Sequence, residues 1–271
     1  ESRYKSPEDL GGKFTDCNIG KEYRVYANIT DFMAALDNMD PADRTYHEVI
    51  FNVNQKLKID IDADINKIAQ FKFIGVTDID PIHDTHVVTH EDSFSSDPDI
   101  LALLDEIELE NVARIDELNA PESTQTKYNL ILDTIVEAIK DTFFITYGKE
   151  ANLILCESID PDRIKYSNHI ILDGYYVTSC EQAQEFTKRL TSYLPTEYHT
   201  FLDLGVNKRI QNFRLIGCHK TGEQRTKRVV DDIEPVNTII TYVDNCELLP
   251  DIATVETQQE NKYERLHPND F

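Results

Sequence analysis

Three carboxylates, Asp60, Asp62 and Asp64, stand at alternate positions of KLKIDIDADINK (residues 56–67), an otherwise apolar run that reads as a strand. Side chains at i, i+2 and i+4 of a strand project to one face, so the three can converge on one hard divalent cation; without a cation the same convergence is repulsive. An EF-hand loop is excluded. Counted from Asp60, its sixth position is Ile65 rather than Gly and its twelfth is Phe71 rather than Glu. A second alternating run, KYSNHIIL (165–172), sets Lys165, Ser167 and His169 on one strand face, an ammonium, a hydroxyl and an imidazole suited to phosphate oxygens. Further on, FLDLGVNKRIQNFRLIGCHK (201–220) carries Asp203 in an expected strand, then Arg214 and Lys220. Each group has a plain structural reading: a solvated edge-strand face, a satisfied structural histidine, solvated cations. Their company is what points to chemistry, carboxylates for a cation beside donors for a polyphosphate.

These groups need strands to carry them. YRVYAN (23–28), EVIFNV (48–53), KLKIDID (56–62), ANLILCES (151–158), SNHIILDGYYV (167–177), TFLDLGV (200–206), NFRLIGC (212–218) and NTIITYV (237–243) read as strands. TDFMAALDNM (30–39) reads as a short helix with Thr30 or Asp31 as N-cap. From residue 127, Leu130, Ile131, Ile135, Ile139 and Phe143 fall at helical spacing, and Gly148 closes that helix. Ser179 opens another, with Gln182 placed for a capping box and Ala183, Phe186, Leu190 and Tyr193 on the inner face. Strands mixed with helices and hairpins predict an α+β fold.

The chain has 271 residues, 40% of them hydrophobic and 28% charged, which is ordinary globular composition. A net charge of −23 argues at first against a nucleic-acid partner. The distribution of that charge argues the other way. Residues 76–125 hold fourteen Asp/Glu against a single Arg, whereas residues 161–230 hold eleven Lys/Arg against seven Asp/Glu. We therefore expect an acidic insert at about 78–125 on a core spanning 1–250, and a polar tail or linker over 251–271. Within the insert, His83, His86 and His90 have metal-like spacing but read as loop polarity. Five scattered cysteines without a CxxC predict neither a disulfide framework nor a structural zinc site, and fit a reducing intracellular compartment: the nucleus, or the cytoplasm if the chain is viral or prokaryotic. No apolar stretch long enough to span a membrane and no secretory signal is seen, and the initial Glu is expected of a fragment of something longer.

The ordered set Asp60-Ile-Asp62, Ser167-Asn-His169, and Asp203-Leu-Gly-Val with Asn212-Phe-Arg214 and Lys220 resembles the three catalytic motifs of the archaeo-eukaryotic primase superfamily. The likeness is to eukaryotic primase–polymerases and the primase domains of large DNA viruses, over about residues 20–250 except the acidic insert. The resemblance implies a small N-terminal αβ unit packed on an RRM-like C-terminal half that carries His169 and Asp203, with the active site in the cleft between them. It implies that Asp60, Asp62 and Asp203 bind two divalent ions, Mg2+ or Mn2+, with Asp64 as a further candidate. Lys165, Ser167, His169, Arg214 and Lys220 would hold the nucleoside triphosphate, Asn212 and Phe213 would position Arg214, and Lys21 or Arg24 would complete the nucleotide site. Where relatives carry a zinc module after the core, residues 245–271 supply none.

Implied by the same resemblance is template-directed nucleotidyl transfer from NTPs or dNTPs, as a DNA primase or DNA-directed polymerase, on single-stranded DNA template and primer. A replicative helicase, as a partner or fused domain, would accompany it, with no membrane. Two other classes compete: a catalytically idle single-stranded DNA-binding or scaffolding module of a replication complex, and a nuclease using the same metal pair. The mutually repulsive carboxylates disfavour the first, and the number of triphosphate-directed cations disfavours the second.

Overall fold

The computed structural model describes residues 14–17, 23–73, 124–159, 165–223 and 225–252. Its strands are β1 (Phe14–Cys17), β2 (Tyr23–Tyr26), β3 (His47–Ile50), β4 (Gln55–Asp64), β5 (Asn152–Ile159), β6 (Lys165–Val177), β7 (Gln211–Arg214), β8 (Arg228–Val229) and β9 (Glu247–Leu248). Its helices are α1 (Ile29–Asp37), α2 (Ile65–Gln70), α3 (Thr124–Tyr147) and α4 (Cys180–Tyr193). The fold is α+β, as expected. Lys21, the His83, His86 and His90 trio, nearly all of the expected acidic insert and the tail beyond Ile252 lie outside the described residues.

Two units divide the chain, Glu1–Ile65 with Leu132–Phe271, and Asn66–Ile131. Of the second, residues 66–73 and the opening turns of α3 are described; Ile68 is fully buried there and Phe71 meets Phe73 edge-on at 5.1 Å. The first unit holds both sheets. One has the order β2-β1-β3-β7, and the other β4-β6-β5-β8 with β9 added in parallel to β6. All other pairings are antiparallel. Each sheet borrows a strand from the far part of the chain: β7 completes the sheet of N-terminal strands, and β4 joins the C-terminal ones. Ile50 and Phe213 of one sheet pack with Ile154, Cys156 and Ile171 of the other, together with Val206 and Ile240, in one apolar cluster. A second cluster, under α1, gathers Phe32, Leu36, Tyr46, Leu215, Cys218 and Ile239.

Period two sets β4. Leu57, Ile59, Ile61 and Ala63 are buried on one face, while the other carries the row Lys56, Lys58, Asp60, Asp62 and Asp64. Lys56 and Lys58 are themselves buried, and each is satisfied: Lys56 Nζ lies 2.6 Å from Asp173 Oδ1 and 2.7 Å from Asn237 O, and Lys58 Nζ donates to Gln55 Oε1 and Asn207 Oδ1. Period 3.6 sets α3, where Ile131, Ile135, Ile139 and Phe143 are fully buried and Leu130 is half-buried. Gly148, at φ +65°, donates its N–H to Phe144 O and ends the helix as expected. Ser179 caps α4 by accepting from Gln182 N–H, while Gln182 Oε1 turns back to Thr178 N–H and Oγ1.

Several boundaries differ from the sequence reading, each through a local polar competitor. Asn28, rather than Thr30 or Asp31, caps α1, its Oδ1 accepting from Asp31 N–H at 2.8 Å. Residues 200–206 are not a strand. A 3-10 turn (Thr196–Phe201) and another (Leu204–Asn207) flank a single bridge from Leu202 to Ile61, because Asp203 accepts from Gly205 N–H and bends the chain away from the ladder. Residues 237–243 are not a strand either. The N–H groups of Ile240 and Thr241 are taken by the buried Glu48 carboxylate at 2.8 and 2.9 Å, a substitute for strand pairing. The strand expected over 212–218 stops at Arg214, where Gly217 turns the chain at φ +77°. Tyr193 is half-exposed, since Leu194 takes the place four residues after Leu190 on the inner stripe.

Candidate active site

The β4–β6 ladder does most of the assembly. In register, Asp60 stands opposite His169, Asp62 opposite Ser167 and Asp64 opposite Lys165, so the charged face of one strand meets the polar face of the other. Hairpin-like β6–β5 pairing and the His47–Arg214 register of β3 with β7 then bring the second sheet's neighbour alongside. Between them lies a cavity of about 370 Å³ lined by Asp60, Asp62, Ser167, His169, Asp203, Arg214 and Lys220, and also by His47, Lys208, Gln211, Asn212 and Phe213. Seven of the eight residues singled out as catalytic or nucleotide-binding thus share one cavity. The eighth, Lys165, stands beside it and donates to Asp62 Oδ2 at 3.0 Å. Asp64 and Arg24 are not in the lining; Arg24 lies over the Tyr46 ring at 4.8 Å.

Asp203 reaches the cavity from a loop rather than from a strand. Its N–H donates to Asp60 O at 2.9 Å, which ties the loop to β4, and its Oδ1 accepts from Gly205 N–H at 2.8 Å. A side chain at residue 205 would crowd this arrangement, because a Cβ there would lie 3.0 Å from Asp203 Oδ1 and 3.1 Å from Lys208 Nζ. Phe213 stacks on the His169 ring, centroids 4.0 Å apart at 29°, and fixes the imidazole plane. Phe213 therefore supports His169 directly. Arg214 is 7% exposed; its Nη1 is 3.5 Å from Ser158 Oγ and its Nε is buried without an acceptor.

Sequence reasoning missed four lining or supporting residues. Lys227 is fully buried, and its Nζ lies 3.2 Å from Ser167 Oγ and 3.3 Å from Ser167 O. Nothing separates it in the sequence from the other cations of KTGEQRTKR. His47 enters through the long-range pairing of β3 with β7, which no local pattern announces. Lys208 and Gln211 lie inside the third motif, and their proximity to Asp203 and Arg214 in the sequence was the available signal.

The electrostatics follow from burial. Asp60 is pushed above the ordinary carboxylate value by burial, with Asp62 and Asp203 adding to the rise and Lys227 and Arg214 opposing it. Burial also acts upward on Asp62, but the hydrogen bond and charge of Lys165, with Ser167 and Lys220, hold it below the usual range. His169 lies well below the ordinary imidazole value, through burial and then the surrounding Lys227, Arg214, His47 and Lys220. It is neutral at pH 7, so its 3.6 Å approach to Asp60 is neither an ion pair nor a short hydrogen bond. Burial lowers Arg214, Lys220 and Lys227, with Arg225 adding to the fall at Arg214 and Arg214 adding to it at both lysines.

Among the described residues, no three His, Cys, Asp or Glu side chains stand close enough to hold a metal ion as they are. Asp60 nevertheless fits a cation: its Oδ1 is buried without a hydrogen-bond partner, and two further carboxylates raise its proton affinity. Asp62 and Asp203 line the same cavity with Lys165 Nζ and Gly205 N–H on their oxygens. The donor set is all oxygen, the chemistry of Mg2+ and Mn2+ rather than zinc. Cys156, Cys180, Cys218 and Cys246 are free thiols, and no helix among the described residues is long and apolar enough to cross a membrane.

No family model matches the chain. It is similar to a protein of African swine fever virus, Kenyan pig isolate, named as a candidate helicase/primase complex protein, with 28% identity over 270 residues. A protein of the same name from the Vero-adapted Badajoz strain is 31% identical over 225 residues. These alignments cover 92% and 79% of this chain, but 21% and 18% of the relatives. A third, from a Malawi tick isolate, is 40% identical over 87 residues, 31% of this chain and 8% of that protein. The chain thus spans about a fifth of the length of the first two relatives.

Proposed function

We propose that this chain is a DNA primase or DNA-directed polymerase core of the archaeo-eukaryotic primase superfamily, adding nucleotides from NTPs or dNTPs to a primer on single-stranded DNA. One observation carries the reading: the carboxylates Asp60, Asp62 and Asp203 and the donors Ser167, His169, Arg214 and Lys220, far apart in the sequence, line a single cavity. The similarity to viral proteins named for a helicase/primase complex agrees, and makes a helicase the expected partner within a longer assembly. Free thiols suit an intracellular, reducing setting.

Asp60, Asp62 and Asp203 would hold two divalent cations, Mg2+ or Mn2+, which when bound supply acidity at the attacking 3′-hydroxyl and neutralise the triphosphate. Arg214 and Lys220 bind the triphosphate oxygens, and the unpaired Arg214 Nε is available to one of them. Lys165 joins them from Asp62. Ser167 Oγ, held by Lys227, and the neutral His169, held flat by Phe213, orient the phosphate chain. Growth of negative charge during in-line displacement is met by groups already in place.

An idle DNA-binding or scaffolding module remains the second reading, favoured by the pairing of Asp62 with Lys165 and the lack of a ready metal cluster among the described residues. Incubation with a single-stranded template, labelled nucleotides and Mg2+ or Mn2+, with and without a primer, separates the two. Metal-dependent product that vanishes in Asp60→Ala supports the enzyme; template binding without product under either metal supports the module.

A further inference from the structure

Besides Asp60, the cavity has a lining residue whose buried side-chain oxygen lacks a hydrogen-bond partner. Gln211, on β7, lines it and is 8% exposed. Its Nε2 donates to Lys208 O at 2.9 Å, which fixes the sense of the amide, since the reversed orientation would set two oxygens against each other. Its Oε1 is then an acceptor, buried and without a donor. A buried acceptor of this kind is normally completed by a ligand or a water. The terminal torsion of Gln is soft, so the amide can adjust toward a group entering the cavity.

Ionised phosphates offer only acceptors, and Arg214, Lys220 and Ser167 match them. The group that meets Gln211 must bring an O–H or N–H. On a nucleotide these belong to the sugar hydroxyls or the base. Base donors differ among the four nucleobases, whereas sugar hydroxyls are common to all, and an enzyme that takes its sequence from a template must admit all four to one site. Position agrees: Gln211 and Arg214, the two ends of β7, line the same cavity. We propose that Gln211 accepts a hydrogen bond from a sugar hydroxyl of the incoming nucleotide and so takes part in sugar selection. The inference rests on the nucleotidyl-transfer reading above.

The test is a binding cycle on the 271-residue chain with Ca2+ in place of Mg2+, so that no turnover intervenes. Inorganic triphosphate, ATP, dATP and dideoxy-ATP, and the matching cytidine series, are titrated into the unaltered protein and into Gln211→Met, which keeps the side-chain volume and removes the acceptor. Loss of one hydroxyl, 2′ or 3′, is expected to weaken binding to the unaltered protein about five- to tenfold, and binding to the variant less than about twofold. Inorganic triphosphate should bind the two alike. Equal hydroxyl effects in both proteins, no hydroxyl effect in the unaltered protein, or coupling that follows the base instead of the sugar would each overturn the proposal while leaving nucleotide binding intact. Failure of every nucleotide to bind would bring down the transfer reading with it. Should Gln211→Met fail to fold, the ligand series on the unaltered chain still decides: affinity indifferent to both hydroxyls sinks the assignment.

Discussion

Asp60 and His169 face each other directly across β4 and β6, with His169 Nε2 3.6 Å from Asp60 Oδ1, one a carboxylate raised by burial and the other an imidazole kept neutral. Neither neutralises the other.

Asp60→Asn should abolish nucleotide addition, by at least about a hundredfold, without loss of stability. A carboxylate whose folded pKa lies above its unfolded one adds stability only at low pH, and that contribution is lost as pH rises through the folded value. At pH 7 the charge is a burden that the amide removes. Thermal melting at pH 7, beside primer extension, checks both halves; a melting point lowered by several degrees would make the carboxylate structural.

Lys227→Met should weaken nucleotide binding about tenfold and destabilise the fold by about 1–3 kcal/mol, because Ser167 O and Oγ lose their buried donor. Denaturant titration and nucleotide binding read the two effects. Unchanged binding with a destabilised fold would confine Lys227 to a structural part.

Gly205→Ala should fold, as the crowded neighbours are the ends of the Asp203 and Lys208 side chains, but it should displace the Asp203 carboxylate and lower activity at least about fivefold. Metal titration of activity checks the direction, with more Mn2+ needed than in the unaltered chain.

Lys58 gives a pH signature. Burial lowers its pKa from 10.5 to about 7, with Glu48 partly opposing. Between those values the unfolded chain binds more protons than the folded one, so stability from this residue rises with pH from about 7 to 10.5 and is level outside that window. The full difference is on the order of 4–5 kcal/mol. Lys58→Met should flatten that part of the stability profile measured by denaturant titration from pH 7 to 10. A slope identical to that of the unaltered chain would show that the ammonium keeps its proton.

Replacing residues 84–120 with a short Gly/Ser linker removes most of the acidic run and should tighten single-stranded DNA binding, most at low ionic strength. Binding isotherms at two salt concentrations test it; weaker binding by a folded variant would give the segment contacts of its own.

Periodicity alone settled a good deal of this protein. The alternation in KLKIDIDADINK and KYSNHIIL fixed β4 and β6 and the faces of Asp60, Asp62, Ser167 and His169, since a strand leaves each side chain only two directions. The 3.6 spacing fixed the buried stripe of α3, and Ser179 and Gly148 marked helix ends through capping chemistry that is local by nature. Tertiary structure decided what distance in the chain conceals. Asp203 is carried by a turn because its carboxylate outcompetes a strand neighbour, and Glu48 replaces the ladder expected over residues 237–243 from almost two hundred residues away. His47 and Lys227 join the site through strand pairing and burial, and a lysine becomes a buried support rather than a solvated charge only when the polar groups it meets come from other strands. No pattern within one segment encodes those partners, because the energy that fixes them is shared between segments that the sequence keeps apart.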